Sequence, residues 1–335
     1  MWRVGLVVLQ IILLFPGGVM AGSAPPGGGF SLPIDCMPGT DCWVMNYPDM
    51  ASGKGVADFT CGPRSYDGHK GTDFAIRDIG AMRRGVDVLA AAEGIVRGVR
   101  DRVAGRRMLT VADREAVRGK ECGNGVVVDH GGGWETQYCH MQRRSLVVRA
   151  GQKVRRGQPL GKVGLSGRTE FPHVHLTVRR DGAVLDPATG QPLSAGCASV
   201  GRPLWRKPER LAYQPMALYA VGFSAGAVKN AAVKRDTASP ARLSATAPAL
   251  VLWATAFGVR KGDRLTLTII APDGRTLHNN AVVMPRNQAW RLSYGGKKRK
   301  QARWPAGRYR GEAVLRRGKS STAVTLRKHI SVSVQ

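Results

Sequence analysis

Short apolar runs separated by glycine turns form the main hydrophobic pattern between about residues 61 and 188. The clearest runs are 94–96, 125–128, 147–148 and 174–178. Strands a few residues long with turn residues between them are typical of all-β proteins. No long stretch of the sequence repeats its apolar residues with the period of 3.6 that marks an amphipathic helix. The pattern therefore predicts an all-β domain over residues 61–190.

A second β pattern begins near Ala249 and continues towards the last residue. Its apolar runs are 249–253, 265–270, 309–315 and 323–334. The segment Ala271–Gly274 closes one of these runs with residues that favour a tight turn. Repeated short strands of this kind predict a β-sandwich-like domain over residues 246–335.

The remaining segments have little periodicity. Residues 25–60 are rich in Gly, Pro and Asp, which predicts an irregular N-terminal segment. Residues 191–245 are rich in Pro and Ala without a strong pattern, and we interpret them as a linker between the two domains.

The first 24 residues have the pattern of a secretory signal peptide. Arg3 supplies a positive charge, Val4–Phe15 is an almost wholly apolar run, and small residues follow. A transmembrane anchor is the alternative, but the run is shorter than the ~20 residues that cross a bilayer. We predict cleavage near Ala21 or Ala24, export to the periplasm or the cell exterior, and no transmembrane segment in the mature form.

The charge of the chain indicates an anionic partner. The 335 residues include 51 Lys and Arg against 23 Asp and Glu, a net charge of +28 at pH 7. Nucleic acid, anionic lipid and anionic envelope polymers all fit such a charge, but export argues against nucleic acid. Residues 241–335 carry 19 Lys and Arg against 3 Asp and Glu, or +16. We therefore expect this basic C-terminal domain to bind an anionic cell-envelope polymer.

The aromatic residues of this domain have two interpretations. They could stack nucleic-acid bases along a basic groove, or they could pack the core of a sandwich. We favour core packing for Trp253, Trp290, Trp304 and Tyr309, and we expect no nucleic-acid partner.

Six cysteines precede residue 200. An even number of cysteines in an exported chain favours disulfides over free thiols. A structural zinc site is the alternative, but the sequence contains no Cys-x-x-Cys pair.

Several histidines have spacings typical of metal ligands. His69 precedes Asp73 by four residues around a glycine, and His173 and His175 alternate in an apolar β-type run. Alternate residues of a strand share one face, so His173 and His175 point the same way. Two imidazoles and one carboxylate can bind zinc and leave a position for water, as in catalytic sites.

These motifs follow one another along the chain with further β-type segments between them. His69–Asp73 reads His-x-Gly-x-Asp, and His173–His175 reads His-x-His. Between them lie strand, hairpin and glycine-turn segments at 88–96, 123–131, 136–141, 151–158 and 161–164. With these motifs, the stretch from about Cys61 to Pro187 resembles the lysostaphin-type zinc metalloendopeptidases, peptidase family M23. The resemblance implies a catalytic domain of antiparallel sheets, the duplicated hybrid motif.

The resemblance also implies roles for five side chains. His69, Asp73 and His175 would bind one Zn²⁺ per chain, and His140 and His173 would be the catalytic imidazoles. The chemistry agrees, because zinc polarises a carbonyl and lowers the pKa of bound water towards ~7. Imidazoles exchange protons near neutral pH. Which of His140 and His173 is the base is left open.

Two departures from the family pattern concern the surroundings of the site. An insertion at 106–121 lengthens the connection before the central hairpin, and Thr169–Phe171 replaces small residues before His-x-His. Neither departure removes a predicted ligand.

The hairpin also suggests a disulfide. Cys122 and Cys139 lie near its open end, so we expect them to pair. Cys139 as a metal ligand is the alternative, but strand alternation places its side chain on the face opposite His140. The other four cysteines can pair in three ways, and of these we expect Cys36 with Cys42 and Cys61 with Cys197.

The sequence therefore predicts an exported zinc-dependent endopeptidase that hydrolyses peptide bonds in peptidoglycan cross-links or stem peptides. The first alternative is a non-catalytic envelope protein of the same fold that binds murein or activates another hydrolase. The second is a carrier or phosphotransfer domain of similar β architecture, against which export argues.

Overall fold

The computed structural model describes residues 24–105, 110–234, 239–318 and 323–335. The predicted signal peptide, apart from its last residue, lies outside the described residues, as do the first four residues of the insertion. In the described part of the chain, no helix is long and apolar enough to cross a membrane.

The first part of the chain forms ten short strands and two short helices. The strands are β1 (Cys42–Asn46), β2 (Thr72–Ile76), β3 (Asp87–Leu89), β4 (Gly94–Arg100), β5 (Asn124–Gly131), β6 (Trp134–Met141), β7 (Lys153–Val154), β8 (Pro159–Lys162), β9 (His173–Arg180) and β10 (Ala183–Leu185). The helices are α1 (Ile79–Arg84) and α2 (Val111–Glu115), and 3₁₀ turns occur at Pro26–Gly28, Leu193–Ala195 and Pro208–Leu211.

These strands form an eight-stranded sheet and a two-stranded sheet. The order in the large sheet is β1-β2-β9-β6-β5-β4-β7, with β10 paired to β9, and the small sheet pairs β3 with β8. Every pairing in the two sheets is antiparallel. The predicted all-β fold with antiparallel sheets is confirmed.

The second part of the chain forms a sandwich of two sheets. Its elements are β11 (Ala217–Ser224), α3 (Asn230–Lys234), β12 (Arg242–Leu243), β13 (Ala249–Val259), β14 (Arg264–Ile270), β15 (Thr276–Val283), β16 (Gln288–Lys298), β17 (Gly307–Arg317) and β18 (Val324–Val334). The sheets have the orders β11-β13-β16 and β12-β18-β17-β14-β15. Leu252 of β13 and Leu267 of β14 belong to one apolar cluster, so the sheets pack face to face as the sequence predicts.

Local sequence explains the regular elements. In β14, Leu265, Leu267 and Ile269 are buried and alternate with partly exposed residues, because successive side chains of a strand point to opposite faces. The β5–β6 hairpin turns through Gly131–Gly133, where every φ is positive. Glycine adopts that conformation without the steric cost that a Cβ would bring.

A shared apolar cluster joins the two parts of the molecule. Trp43 of β1 packs on Tyr219 of β11 with ring centroids 4.7 Å apart, and Phe257 of β13 is buried in the same cluster. The Tyr219 hydroxyl donates to the backbone carbonyl of Ile76 in β2. The C-terminal sandwich is therefore packed directly against one edge of the large sheet.

Three strands lie in segments for which the sequence pattern predicts no regular structure. β1 falls within residues 25–60, and β11 and β12 fall within residues 191–245. Each is an edge strand whose hydrogen bonds come from a partner far away in the sequence. Local periodicity does not report that kind of pairing.

Candidate metal centre

The pairing of β2 with β9 brings a carboxylate and two imidazoles to one face of the large sheet. Asp73 lies opposite His175, and Ala75 lies opposite His173. Directly opposed residues of an antiparallel pair share a face, so Asp73, His173 and His175 project together. The Asp73 Oδ1 atom is 2.9 Å from His175 Nδ1 and 3.4 Å from His173 Nε2.

His69 reaches the same point from the turn before β2. Its Nδ1 donates to the backbone carbonyl of Tyr47 at 2.7 Å, which turns Nε2 towards Asp73 Oδ1 and His175 Nδ1, each 3.1 Å away. The Tyr66 ring stacks on the His69 imidazole with centroids 4.2 Å apart. A backbone anchor of this type fixes the tautomer and orientation of a ligating histidine.

Gly71 allows the close approach of these groups. A Cβ at this position would lie 2.5 Å from both His175 Nε2 and the Leu176 carbonyl oxygen. Any side chain larger than hydrogen would therefore displace β9. The motif His-x-Gly-x-Asp therefore needs glycine at its third position in this fold, because there is no room for a side chain.

The three groups fit a divalent metal of the zinc type. One ligand atom from each of His69, Asp73 and His175 lies within 4.8 Å of the others. Two imidazole nitrogens and one carboxylate oxygen are a donor set of catalytic zinc sites. The second Asp73 oxygen accepts from Asn46 Nδ2 at 2.9 Å, and His175 Nε2 lies 3.0 Å from Thr177 Oγ1, so outer contacts support the ligands.

Burial and charge set the protonation of these groups. Burial opposes the charged form of Asp73, but the charges of His69 and His173 and hydrogen bonds from His173 and His175 hold the pKa of this carboxyl well below its usual range. Burial lowers the pKa of His175. Burial lowers and the Asp73 carboxylate raises the pKa of His69, with a net upward shift. These shifts favour the ionised form of Asp73 and the neutral form of His175, as metal ligation requires, whereas the shift of His69 favours the protonated form, which must release its proton to bind a metal.

His140 reaches the site through a β-bulge. Between the paired positions Asn124–Met141 and Val126–Tyr138, β6 has one residue more than β5. His140 has φ of 64°, and its ring centroid lies 4.6 Å from that of His173. A bulge bends the strand and re-aims a side chain, as often happens beside active sites.

The bulge corrects the expectation from strand alternation. Cys139 lies opposite His175 and Tyr138 opposite Leu176, so the metal-facing side of β6 is that of Cys139. Regular alternation would place His140 with Tyr138 on the other face. Tyr138 is fully buried in the core, where its hydroxyl accepts from the Ala91 N–H, and it does not line the cleft.

Both remaining imidazoles are anchored through Nδ1. His140 Nδ1 donates to the Ser166 carbonyl at 2.9 Å, and His173 Nδ1 donates to the Phe171 carbonyl at 2.9 Å. This leaves Nε2 as the basic nitrogen of each ring. Burial, together with the neighbouring imidazoles of His173 and His175, holds the pKa of His140 well below its usual range.

The groups that hold the histidines in place could not be predicted from the sequence. Tyr47 and Ser166 act through backbone carbonyls, for which the sequence has no signal. Asn124 is fully buried, and its side chain bonds to Val103 and Met141 beside the bulge. Its position between two glycines was the one available sign of a special conformation.

A cleft of about 650 Å³ opens above the five predicted site residues. The insertion contributes to its wall, because Arg114 of α2 and Glu121 line the cleft. Arg114 lies 3.7 Å from Glu170, one of the residues that replace the small residues of the family pattern. Both departures from the family pattern therefore border the site.

All three predicted disulfides are confirmed. Cys36 pairs with Cys42, Cys61 with Cys197, and Cys122 with Cys139. The last pair joins the bulge to the start of the hairpin, and the Cys122 carbonyl accepts from the His140 N–H at 2.8 Å. Cys139 is therefore unavailable as a metal ligand.

The fold and the site define an antiparallel β domain with a buried His-Asp-His group suited to a metal ion. Residues 67–187, about a third of the chain, match the family model described as "Peptidase family M23". The resemblance noted in the sequence is confirmed.

Curated relatives share this segment. The peptidoglycan DD-endopeptidase ShyA of Vibrio cholerae is 34% identical over 107 residues, which cover 32% of this chain and 19% of that protein. The DD-carboxypeptidase/endopeptidase Mpg of Neisseria meningitidis is 30% identical over 121 residues, which cover 36% of this chain and 22% of that protein. The chain thus spans about a fifth of the length of these relatives.

Solved structures also align with part of the chain. A zinc-containing peptidase from Vibrio cholerae shares 28% identity, with a TM-score of 0.27, over 37% of this chain and 30% of that one. The catalytic domain of the prophage-encoded M23 protein EnpA from Enterococcus faecalis, solved as a mutant, shares 24% identity, with a TM-score of 0.30, over 43% of this chain and 86% of that one.

Proposed function

We propose that the protein is an exported zinc-dependent endopeptidase that hydrolyses peptide bonds in peptidoglycan cross-links or stem peptides. One observation carries the proposal: the ligand atoms of His69, Asp73 and His175 converge beside two further imidazoles, His140 and His173, in one cleft. The curated relative ShyA, which is named a peptidoglycan DD-endopeptidase, supports the substrate class.

In this proposal the chain's own residues divide the work. His69, Asp73 and His175 hold the ion, and zinc so held supplies Lewis acidity and makes water acidic near neutral pH. Neutral His140 accepts a proton at Nε2, since its Nδ1 is committed to Ser166. His173, when it carries a proton on Nε2 as well as on Nδ1, donates from Nε2 to the developing negative charge or to the leaving amine.

The test compares wild type with His175→Ala. Metal content is measured by mass spectrometry of the purified protein, and hydrolysis by release of muropeptides from sacculi. We expect one zinc per wild-type chain, and loss of both zinc and hydrolysis in the variant. The control is His329→Ala, which changes an exposed histidine of β18. Equal muropeptide release from wild type and His175→Ala would refute the enzyme and favour the non-catalytic murein-binding alternative.

We further propose the domain organisation that the sequence indicates: a signal peptide over 1–24, the endopeptidase domain over 61–190 and a basic domain over 246–335. The N-terminal segment 25–60 and the connecting segment 191–245 supply β1 and β11 to the sheets of these two domains. Export places the enzyme in the periplasm or outside the cell.

We propose that the basic domain binds an anionic cell-envelope polymer through the outer face of its five-stranded sheet. Arg242 and Arg308 flank Ser333 on this face, and Arg310 follows two residues later on β17. All three arginines are exposed. The triple variant R242A/R308A/R310A should bind sacculi more weakly at low salt while hydrolysing small soluble muropeptides normally. Unchanged, salt-insensitive sacculus binding would contradict this role.

A further inference from the structure

A second cleft, of about 430 Å³, lies between the large sheet and the C-terminal sandwich. One wall comes from the end of β1 and the start of α1, including Met45 and Ile79. The other wall comes from the C-terminal sandwich, through the end of β13 at Val259 and the start of β16 at Trp290. Residues from both parts of the molecule are thus needed to form it.

We call the 430 Å³ cavity the interdomain cleft, and the 650 Å³ cavity above the five predicted site residues the metal cleft. The two cavities are continuous. Asn46, Tyr66, Glu170 and Phe171 line both cavities. Asn46 donates to Asp73, and the Phe171 ring stacks on the His173 imidazole with centroids 4.6 Å apart. A chain bound at the metal cleft can therefore continue into the interdomain cleft without leaving the surface.

The walls of the interdomain cleft are held in place. Buried Arg64 donates to the carbonyls of Val44, Met45 and Gln214, and its guanidinium lies 4.4 Å from the centre of the Phe257 ring. These contacts, with the Tyr219 hydrogen bond to β2, tie the sandwich to the large sheet. The cleft is therefore part of the fold rather than a gap between two independent domains.

Among the residues that the structure describes, the lining of the cleft combines an apolar floor with one available cation. Trp290 lies opposite Phe257 in the sheet, so it faces the large sheet as Phe257 does. Arg77 is paired with Asp78, and Arg64 is committed to carbonyls. Arg260 is exposed, and none of the described residues pairs with its guanidinium.

We propose that the interdomain cleft binds the part of the peptide substrate that leaves the metal centre, with small apolar side chains on its floor and a carboxylate at Arg260. This inference rests on the proposed endopeptidase function. A glycan would need polar groups opposite its hydroxyls, but Arg64, Arg77 and Asp78 are already engaged. An extended peptide fits the apolar floor, and a guanidinium binds a carboxylate in a bidentate manner.

The test uses the full chain and two forms of one substrate: purified cross-linked disaccharide-peptide dimers, and the same dimers with amidated carboxyl groups. In Arg260→Ala and Trp290→Ala, KM for the unmodified dimer should rise about tenfold with kcat and zinc content unchanged. Amidation should raise KM of wild type by a similar factor and leave KM of Arg260→Ala unaltered. Matched controls are Arg303→Ala, an exposed arginine, and Tyr294→Ala, an exposed aromatic of β16, neither of which lines the cleft.

The outcomes separate this inference from the proposed function. If wild type hydrolyses the dimers and both cleft variants match their controls, the interdomain subsite is refuted. If amidation raises KM of wild type and of Arg260→Ala equally, Arg260 does not bind the carboxylate. If wild type hydrolyses nothing, the endopeptidase proposal fails, and calorimetric binding of disaccharide-tetrapeptide decides the subsite. Weaker binding by both cleft variants would support it, and binding equal to the controls, or equal binding of peptide-free glycan, would overturn it.

Discussion

The large sheet and the C-terminal sandwich are both built from alternating β-strands, but they bury different kinds of side chain. Among the described residues of the sandwich strands and their connections, only Thr255, Asp263 and Ser293 are buried polar or charged residues. Most of the others in the described chain lie between residues 67 and 187. The sandwich core is instead apolar, with Leu252 and Leu267 at its centre.

The difference shows how a sheet can hold polar groups that burial disfavours. A buried polar group is costly unless a hydrogen bond compensates it. His69, His140 and His173 each have Nδ1 bonded to a backbone carbonyl, from Tyr47, Ser166 and Phe171. In the sandwich, the buried Asp263 is compensated by an ion pair with Arg317. The first arrangement holds reactive nitrogens in one cleft, and the second holds a sheet together.

The largest expected effect separates chemistry from stability. His140→Ala should lower kcat about 10²–10⁴-fold, because it removes a proton acceptor, while zinc content stays at the wild-type level. Stopped assays on muropeptide dimers and metal analysis measure the two quantities. The corresponding change in the sandwich, His329→Ala, should leave both unchanged. Zinc loss in His140→Ala would show that this residue is a ligand instead.

The next effect compares one core leucine from each region. Leu176→Ala and Leu267→Ala each empty a fully buried site, and each should lower the free energy of unfolding by about 2–5 kcal/mol. Leu176 lies between His175 and Thr177, so its loss should also weaken zinc binding. Leu267→Ala should keep zinc affinity at temperatures where the protein is folded. Chemical denaturation measures the free energy of unfolding, and zinc titration measures the affinity for zinc. Equal zinc affinities in the two variants would contradict the expected difference between the two regions.

The disulfides give a smaller and more selective effect. Removing Cys122–Cys139, which closes a loop with a sequence separation of 17, should cost about 3 kcal/mol. Removing Cys36–Cys42, with a separation of 6, should cost about 2 kcal/mol. The C122A/C139A variant should also lose activity, because the disulfide anchors the bulge that presents His140. Activity equal to that of C36A/C42A would contradict this link.

The smallest effect concerns a buried carboxyl that serves structure alone. Desolvation raises the pKa of Asp186 to about 6, and its Oδ2 has no hydrogen-bond partner among the described residues. The folded state therefore keeps a proton that the unfolded state releases near pH 4. Stability from this group is present below about pH 4 and is lost as the pH rises to about 6.

Asp186→Asn should remove this pH dependence and stabilise the protein at pH 7 by roughly 1–3 kcal/mol. The amide oxygen can still accept from Ala188 and Thr189, as the carboxylate does. Thermal unfolding of wild type and variant between pH 4 and pH 8 measures the difference. A variant with the wild-type pH profile would show that Asp186 is ionised throughout this range.

Much of the fold could be predicted because it depends on local patterns. The period-2 pattern around Leu265–Ile269 predicts a strand, and the three consecutive glycines of the β5–β6 hairpin predict a turn. Cysteine number and hairpin geometry predict the pair Cys122–Cys139, but neither decides how the other four cysteines pair. β1 and β11 could not be predicted, because an edge strand is stabilised by partners distant in sequence.

The candidate site divides in the same way. The spacing of His69, Asp73, His173 and His175 is a property of the sequence, since alternate residues share a face wherever the strand lies. The sequence alone thus determined the set of donor groups, the β class of both regions and the basic charge of the second. It also indicated the family before any contact was known.

Only the tertiary structure decided how these groups meet. Alternation along β6 would turn His140 away from His69, Asp73 and His175, and one extra residue opposite β5 turns it back. The anchors at Tyr47 and Ser166 are backbone carbonyls, and the interdomain cleft needs Trp290 and Phe171 from opposite parts of the molecule. The physical reason is range: periodicity reports which face a side chain occupies, whereas bulges, carbonyl contacts and clefts depend on segments that meet only after folding.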